Sequence, residues 1–248
     1  MSDGAPSLPP MLATAWGLRE RPNKGPRPAL SVERVVAAAI DVARRDGLAA
    51  VSMSRVAAEL GTVAMALYRY VSAKSELIAL MADAAYGPAP ELPRPGDTWR
   101  TALTAWTHGM LRGARENPWA VEVPITGPPL LPNSVDWFEC ALRCLAGTPL
   151  DGGEKVEVIS MVGGLVRTRG QMEHQINAAI AASAPTSVPG GYGRMLSELL
   201  PRDRYPEVYG VIEEGVFGDE PGAPGDEDFD FALNVVFEGI EALIRTRA

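Results

Sequence analysis

Val51-Ser52-Met53-Ser54-Arg55-Val56-Ala57-Ala58-Glu59-Leu60-Gly61 runs straight into Thr62-Val63-Ala64-Met65-Ala66-Leu67-Tyr68-Arg69-Tyr70-Val71-Ser72-Ala73-Lys74. The stretch reads as two short helical patterns pinched together at a glycine. Ser52 has the side chain of an N-cap, and Val56, Ala57 and Leu60 recur behind it at helical spacing. Gly61 stops that helix. A second pattern starts at once: Val63, Ala66, Leu67, Tyr70 and Val71 fall at i, i+3, i+4, i+7 and i+8, which points them inward and leaves Ala64, Met65, Tyr68 and Arg69 outside. Two short helices joined by a glycine turn make a helix-turn-helix, with a second helix sized for a DNA major groove. Ala64 and Met65 could approach thymine methyls, while Tyr68, Arg69 and Lys74 could reach phosphates. A plain helical hairpin in any all-α protein would show similar spacing. The full candidate DNA-contacting set is Ser52, Met53, Ser54, Thr62, Val63, Ala64, Met65, Tyr68, Arg69, Tyr70 and Lys74, together with Arg19, Arg21, Lys24 and Arg27 nearer the N-terminus.

Outward from this stretch the patterning stays helical. A helix is predicted after Ser31, with Val35, Val36, Ala39, Val42 and Ala43 on one face and Asp46-Gly47 as its stop. Ser72 is predicted to cap a helix through Leu77, Leu80 and Met81 to about Tyr86. Gly87-Pro88-Ala89-Pro90 then breaks the chain, and the proline-rich run to Gly96 reads as a linker.

Leu60-Gly61, Ala66-Leu67-Tyr68-Arg69-Tyr70-Val71 and Lys74-Ser75-Glu76-Leu77 together resemble the signature of the tetracycline-repressor (TetR) family of bacterial regulators. About 55 residues, from roughly Ser31 to Tyr86, carry the likeness, and several spaced positions agree in order. Thr62 and Val71 depart from it, standing where the family usually has valine and phenylalanine. The resemblance implies an all-helical fold, a homodimer built on a four-helix bundle from the last two long helices of each subunit, and a variable C-terminal ligand sensor. The expected organisation is all-α: an arm over 1–30, a three-helix helix-turn-helix domain over 31–86, and a larger ligand-sensing and dimerisation domain over 97–248.

Charge fits this division. The formal net charge is -8 overall, yet residues 1–87 carry ten Arg or Lys against eight Asp or Glu, leaving -10 on the remainder. An acidic body is repelled from phosphate and favours approach through the basic end. Six prolines in residues 1–30 predict a mobile arm, in which Arg19, Arg21, Lys24 and Arg27 oppose only Glu20. Such an arm could enter a minor groove, where arginine is drawn by strong negative potential, or be a solvated tail. Trp16 is unusual for a tail, and docking on a neighbouring surface would explain it.

Beyond the linker, Asp97 or Thr98 is predicted to cap a helix carrying Trp99, Leu103, Trp106, Met110 and Leu111, closed by Asn117-Pro118. Asn133 or Ser134 should cap the next, with Trp137, Phe138, Ala141, Leu142 and Leu145. Asp151 opens the longest helix, to about Ala182, with Val158, Val162, Leu165, Met172 and Ile176 in one stripe. Short helices are expected over 195–200 and 206–214, and a last one from Phe229 to about Arg245 carries Phe231, Val235, Phe237, Ile240 and Leu243. The long and last helices have more apolar face than one core needs, which suggests a second copy.

Trp106, Met110, Trp119, Trp137 and Phe138 could enclose a ligand, with His108, Gln171 and His174 as polar contacts. The candidate ligand set is Trp106, Met110, Trp137, Gln171 and His174. Of Arg167 and Arg169, one could face a dimer interface and the other solvent. Cys140 and Cys144 share a helix face and read as reduced small hydrophobes. Two histidines are too few for a zinc signature. No cofactor or metal is expected, no nucleophile and base fall at a catalytic spacing, and no segment reads as a leader or membrane span, so a cytoplasmic protein is predicted. The function that emerges is a ligand-responsive repressor on a palindromic operator. The alternative is a DNA-binding activator or partner-responsive regulator without a small-molecule ligand.

Overall fold

Each helix of the chain begins and ends where local chemistry satisfies its terminal backbone groups. In the computed structural model, which describes residues 9–18, 30–182, 191–217 and 225–247, α1 spans Pro10–Ala15 and α2 spans Val32–Asp46. The Ser31 hydroxyl accepts the Arg34 N–H at 3.2 Å to open α2, and Gly47, at φ 82°, closes it. A 3-10 turn, Leu48–Ala50, leads to α3, Met53–Glu59, capped by Ser52 through the Arg55 N–H at 3.2 Å. Gly61 turns the chain at φ 64°, a conformation open to glycine and costly for other residues.

The recognition element, α4, is shorter than its pattern. It is a single turn, Ala64–Leu67, after which the Tyr70 and Val71 N–H groups both return to the Leu67 carbonyl. Val63, expected inward, sits at the N-cap and is 68% exposed, whereas Ala64, expected outward, packs against the core. One turn of helix fixes the angle of its first residues differently from the long helix that the spacing assumed. α5, Lys74–Tyr86, has Ala73 at its cap rather than Ser72. The Glu76 carboxylate reaches back instead, accepting the Ser72 N–H at 2.6 Å and the Ser72 hydroxyl.

α2 to α5 enclose Val35, Ala39, Val42, Val56, Leu67, Val71, Leu77 and Met81. Trp119, expected at a ligand cavity, joins this core from the 3-10 turn Pro118–Glu122. Its indole N–H is buried with no hydrogen-bond partner among the described residues. Arg44 of α2 donates from Nε to the Asn117 side-chain oxygen at 3.0 Å, and Asn117 is itself buried. The sensor segment is therefore stitched into the helix-turn-helix core.

The helices after the linker are α6, Trp99–Glu116; α7, Pro132–Cys144; α8, Gly152–Ala181; α9, Tyr192–Leu199; α10, Pro206–Glu213; and α11, Asp226–Arg247. Among the described residues there are eleven α-helices and no strand. Thr98 opens α6 with a reciprocal capping pair to Thr101. Two compact units form, Met1–Gly170 with Val235–Ala248, and Gln171–Asn234. In the first, Phe237 of α11 meets Trp99 edge-on at 5.5 Å, Arg100 pairs with Glu238 at 2.8 Å, and Arg247 pairs with Glu154 at 2.7 Å. In the second, Tyr209 donates its hydroxyl to the Ser197 carbonyl and Tyr192 meets Phe217 edge-on.

The arm is not uniformly the mobile tail that its prolines predicted. α1 is helical, Leu12 is buried, and Trp16 donates its indole N–H to the Leu130 carbonyl at 2.9 Å. Arg19, Arg21, Lys24 and Arg27 lie outside the described residues. Cys140 and Cys144 are buried free thiols. The hydrogen bond between them, helped by the nearby Arg143 guanidinium, draws the Cys140 thiol down to about 7, while the same hydrogen bond and burial push Cys144 up.

Candidate DNA-reading face and candidate effector cavity

The turn that Gly61 imposes presents α4 at the surface. Met65 is 76% exposed, Tyr68, Arg69 and Lys74 are exposed beside it, and Ser54 is exposed on α3. The Arg69 and Lys74 side chains make no hydrogen bond or ion pair with any described residue, so their charges are available to an anion. The other cations of this region are engaged. Arg45 pairs with Glu59 at 2.7 Å, and Arg55 pairs with Asp46 at 3.0 Å. Met53 is buried in the core and so is withdrawn from the expected surface set; the Ser52 hydroxyl accepts the capping hydrogen bond of α3; and Tyr70 packs half-buried against the core. Thr62 is half-buried in the turn.

A second feature lies behind α5. A cavity of about 600 Å³ opens between the C-terminal end of α5, the middle of α6, the start of α7, α8 and the Ile125–Pro129 loop. Trp106, Met110 and Trp137 line it as expected, with Phe138. Trp106 and Trp137 meet edge-on, with centroids 6.2 Å apart. Both indoles are anchored: Trp106 donates to the Trp137 carbonyl at 2.9 Å, and Trp137 donates to the Gly87 carbonyl at 3.1 Å. The α8 residues on its wall include Val156, Ile159, Gly163 and Arg167, while Gln171 and His174 belong to the second compact unit.

The polar groups on this wall are Tyr86, Ser134, Ser160 and Arg167. Arg167, expected at an interface or in solvent, lines the cavity instead and donates to the Val123 carbonyl at 2.8 Å, while Arg169 is buried. Burial raises the Tyr86 phenol above its ordinary value, with the Arg167 guanidinium pulling the other way. The arrangement suits a flat, largely apolar molecule carrying a few oxygen substituents.

The cavity also touches a helix cap. Leu131 occupies the N-cap of α7 and offers no side-chain acceptor, and neither Asn133 nor Ser134 caps it. Asp83 of α5 does so across space: its carboxylate accepts the Ser134 N–H at 2.8 Å and the Asn133 N–H at 3.2 Å. Sequence reasoning missed Asp83. Its signal is a carboxylate three residues after Leu80, on the apolar face of its helix.

Comparison with known proteins follows the same division. Residues 35–81 match the family model described as bacterial regulatory proteins, tetR family, and residues 92–244 match the tetracyclin repressor-like C-terminal domain. The HTH-type transcriptional repressor DrrR1 of Streptomyces coeruleorubidus is 34% identical over 249 residues, covering 99% of this chain and 90% of that one. ActR from Streptomyces coelicolor is similar in structure without ligand, at a TM-score of 0.74, and in complex with actinorhodin, at 0.73. Each ActR comparison is 22% identical and covers 90% of this chain and 100% of the other.

Proposed function

This chain belongs to the tetracycline-repressor family of bacterial regulators, and from that premise we propose that it holds a palindromic operator as a homodimer and releases it when an aromatic small molecule fills the larger cavity. It is a transcriptional regulator and not an enzyme. One helical turn reads few base pairs, so useful specificity needs two copies on a two-fold axis. Met161 of α8 and Val235 of α11 are exposed apolar side chains that support pairing through these helices. Arg69, Lys74 and Tyr68 grip phosphates, and Met65 approaches base edges.

The observation that carries the effector reading is the double role of Ser134, which lines the cavity and donates its N–H to Asp83 of α5. α5 follows directly from the recognition turn. An occupant that moves the start of α7 shifts the acceptor on α5, and affinity for DNA falls by the ligand's differential affinity for the two arrangements. The aromatic lining, and the binding of actinorhodin by ActR, support a polycyclic aromatic effector.

The test is fluorescence anisotropy of a palindromic duplex from upstream of the protein's own gene, at several salt concentrations, with and without residues 1–27 and with a panel of planar aromatic compounds. Tight binding that weakens steeply with salt and is reversed by a panel member is expected. Binding that no compound reverses, with no thermal stabilisation by any of them, would favour the regulator without a small-molecule input. A bound compound at a hundred times its dissociation constant adds about 2.7 kcal/mol.

A further inference from the structure

A second, smaller cavity of about 400 Å³ also has Trp137 in its wall. It shares Tyr86, Trp137, Ala85 and Gly113 with the larger one, and its remaining wall differs in chemistry. The larger cavity has one charged residue, Arg167. The smaller has Arg94 from the linker and Arg112 and Glu116 from α6, together with His108. The space exists because α6 presents Ala105, Gly109 and Gly113 along the stripe between these polar residues, and Gly109 lets the Trp137 ring lie against the helix.

The Arg112 side chain makes no hydrogen bond or ion pair with any described residue, and neither does the Arg94 side chain. Two guanidiniums without partners oppose one carboxylate, so the wall has an excess of positive charge. A guanidinium binds a carboxylate through two parallel hydrogen bonds, which no neutral amide reproduces. Trp137, Tyr86 and the Pro88–Leu92 segment offer the apolar surface for a ring.

We infer that the smaller cavity is a second ligand site, for an aromatic carboxylate whose ring lies against Trp137 and Tyr86 and whose carboxylate sits on Arg112 and Arg94. This site is separate from the effector cavity proposed above and does not depend on that reading. The shared wall nonetheless links the two, since displacing Tyr86 or Trp137 from one side changes the space on the other.

The probes are 1-naphthoate and its neutral counterpart 1-naphthamide, titrated into the full-length protein and followed by tryptophan fluorescence and calorimetry. Naphthoate should bind saturably and at least tenfold more tightly than the amide, and added salt should weaken it. Arg112→Ala should lower the affinity about tenfold or more, with Arg112→Lys intermediate. Ala105→Phe, which fills the smaller cavity directly, should abolish binding, and Met110→Trp, which reaches it only through the shared wall, should weaken it far less. Thermal melts of each variant separate loss of the site from loss of the fold. Equal binding of the amide, no binding of naphthoate up to its solubility, or loss in Met110→Trp with retention in Ala105→Phe would overturn the assignment.

Discussion

Asp83 of α5 caps α7 across space, its carboxylate accepting the Ser134 N–H at 2.8 Å, the Asn133 N–H at 3.2 Å and the Asn133 side-chain amide at 3.1 Å. A buried carboxylate at a helix N-terminus is stabilised by the free N–H groups and by the helix dipole. Removing it leaves those donors unpaired. Asp83→Ala should therefore cost about 2–3 kcal/mol in urea unfolding. Asp83→Asn, which keeps the shape but turns one acceptor into a donor, should recover little of that loss. If the cap also carries the effector signal, the Asp83→Asn dimer should bind operator but respond weakly to any releasing compound, and anisotropy with and without that compound reads the difference.

The recognition turn makes a different kind of prediction, because Arg69 contributes charge without packing. Arg69→Ala should leave the unfolding midpoint unchanged within about 0.5 kcal/mol, as is usual for a surface substitution. It should nevertheless weaken operator binding and reduce the slope of log affinity against log salt by about one for each phosphate the side chain no longer neutralises. Met53→Ala should do the reverse, because Met53 is buried: stability should fall by about 2 kcal/mol or more, with no change in salt slope for the protein that remains folded.

Most of the fold was legible because helices announce themselves locally. Ser52 is a cap in the sequence and in the structure, α2 starts after Ser31 as expected, Thr98 is one of the two caps offered for α6, and Gly47 and Gly61 end helices where their spacing said they would. What sequence could not carry was contact at a distance. Trp119 could not be assigned to the α2–α5 core by periodicity, since it reaches that core from a 3-10 turn. The α7 cap comes from a residue 51 positions upstream, which no local motif describes. The cavity was legible in its tryptophans and not in its polar members. Helical spacing placed Trp106 and Trp137 on buried faces, but whether Arg167 or His174 of α8 faced the void depended on the rotation of a helix with apolar residues on several sides.

Gly109 tests how firmly Trp137 is held. A Cβ built on Gly109 would lie 2.9 Å from Cη2 of Trp137, closer than packed carbons sit. Trp137 has little freedom to yield, since its indole donates to Gly87 and its carbonyl accepts from Trp106. Gly109→Ala gains helix propensity of about 1 kcal/mol but should lose about 1–3 kcal/mol to overpacking. The expected result is a net fall in melting temperature, with a shifted tryptophan emission that reports the displaced ring.

Tyr86 gives the pH prediction. Its phenol is raised above 10 chiefly by burial, so it remains neutral throughout the physiological range and can donate a hydrogen bond to a ligand oxygen. A group with a raised folded value contributes its stability below the unfolded value of about 10, and that contribution is lost as pH rises through the folded one. Absorbance titration of phenolate should show one tyrosine ionising later than the rest, absent from Tyr86→Phe. Effector binding should be flat from pH 6 to 9 as far as this residue is concerned.

Val235 of α11 is 58% exposed and Met161 of α8 is 49% exposed. Apolar side chains of this size are seldom left in water, and the part of α11 that follows Val235 already buries Phe237 and Ile240. If a second copy covers them, a charge there must be desolvated on association without a partner, which costs several kcal/mol. Met161→Glu with Val235→Glu should then leave each chain folded but raise the dimer dissociation constant by several orders of magnitude, as sedimentation equilibrium would measure. Operator binding should fall with it, because the two recognition turns would no longer be held at a fixed spacing. A variant that remains dimeric at nanomolar concentration would move the interface away from this face of α11.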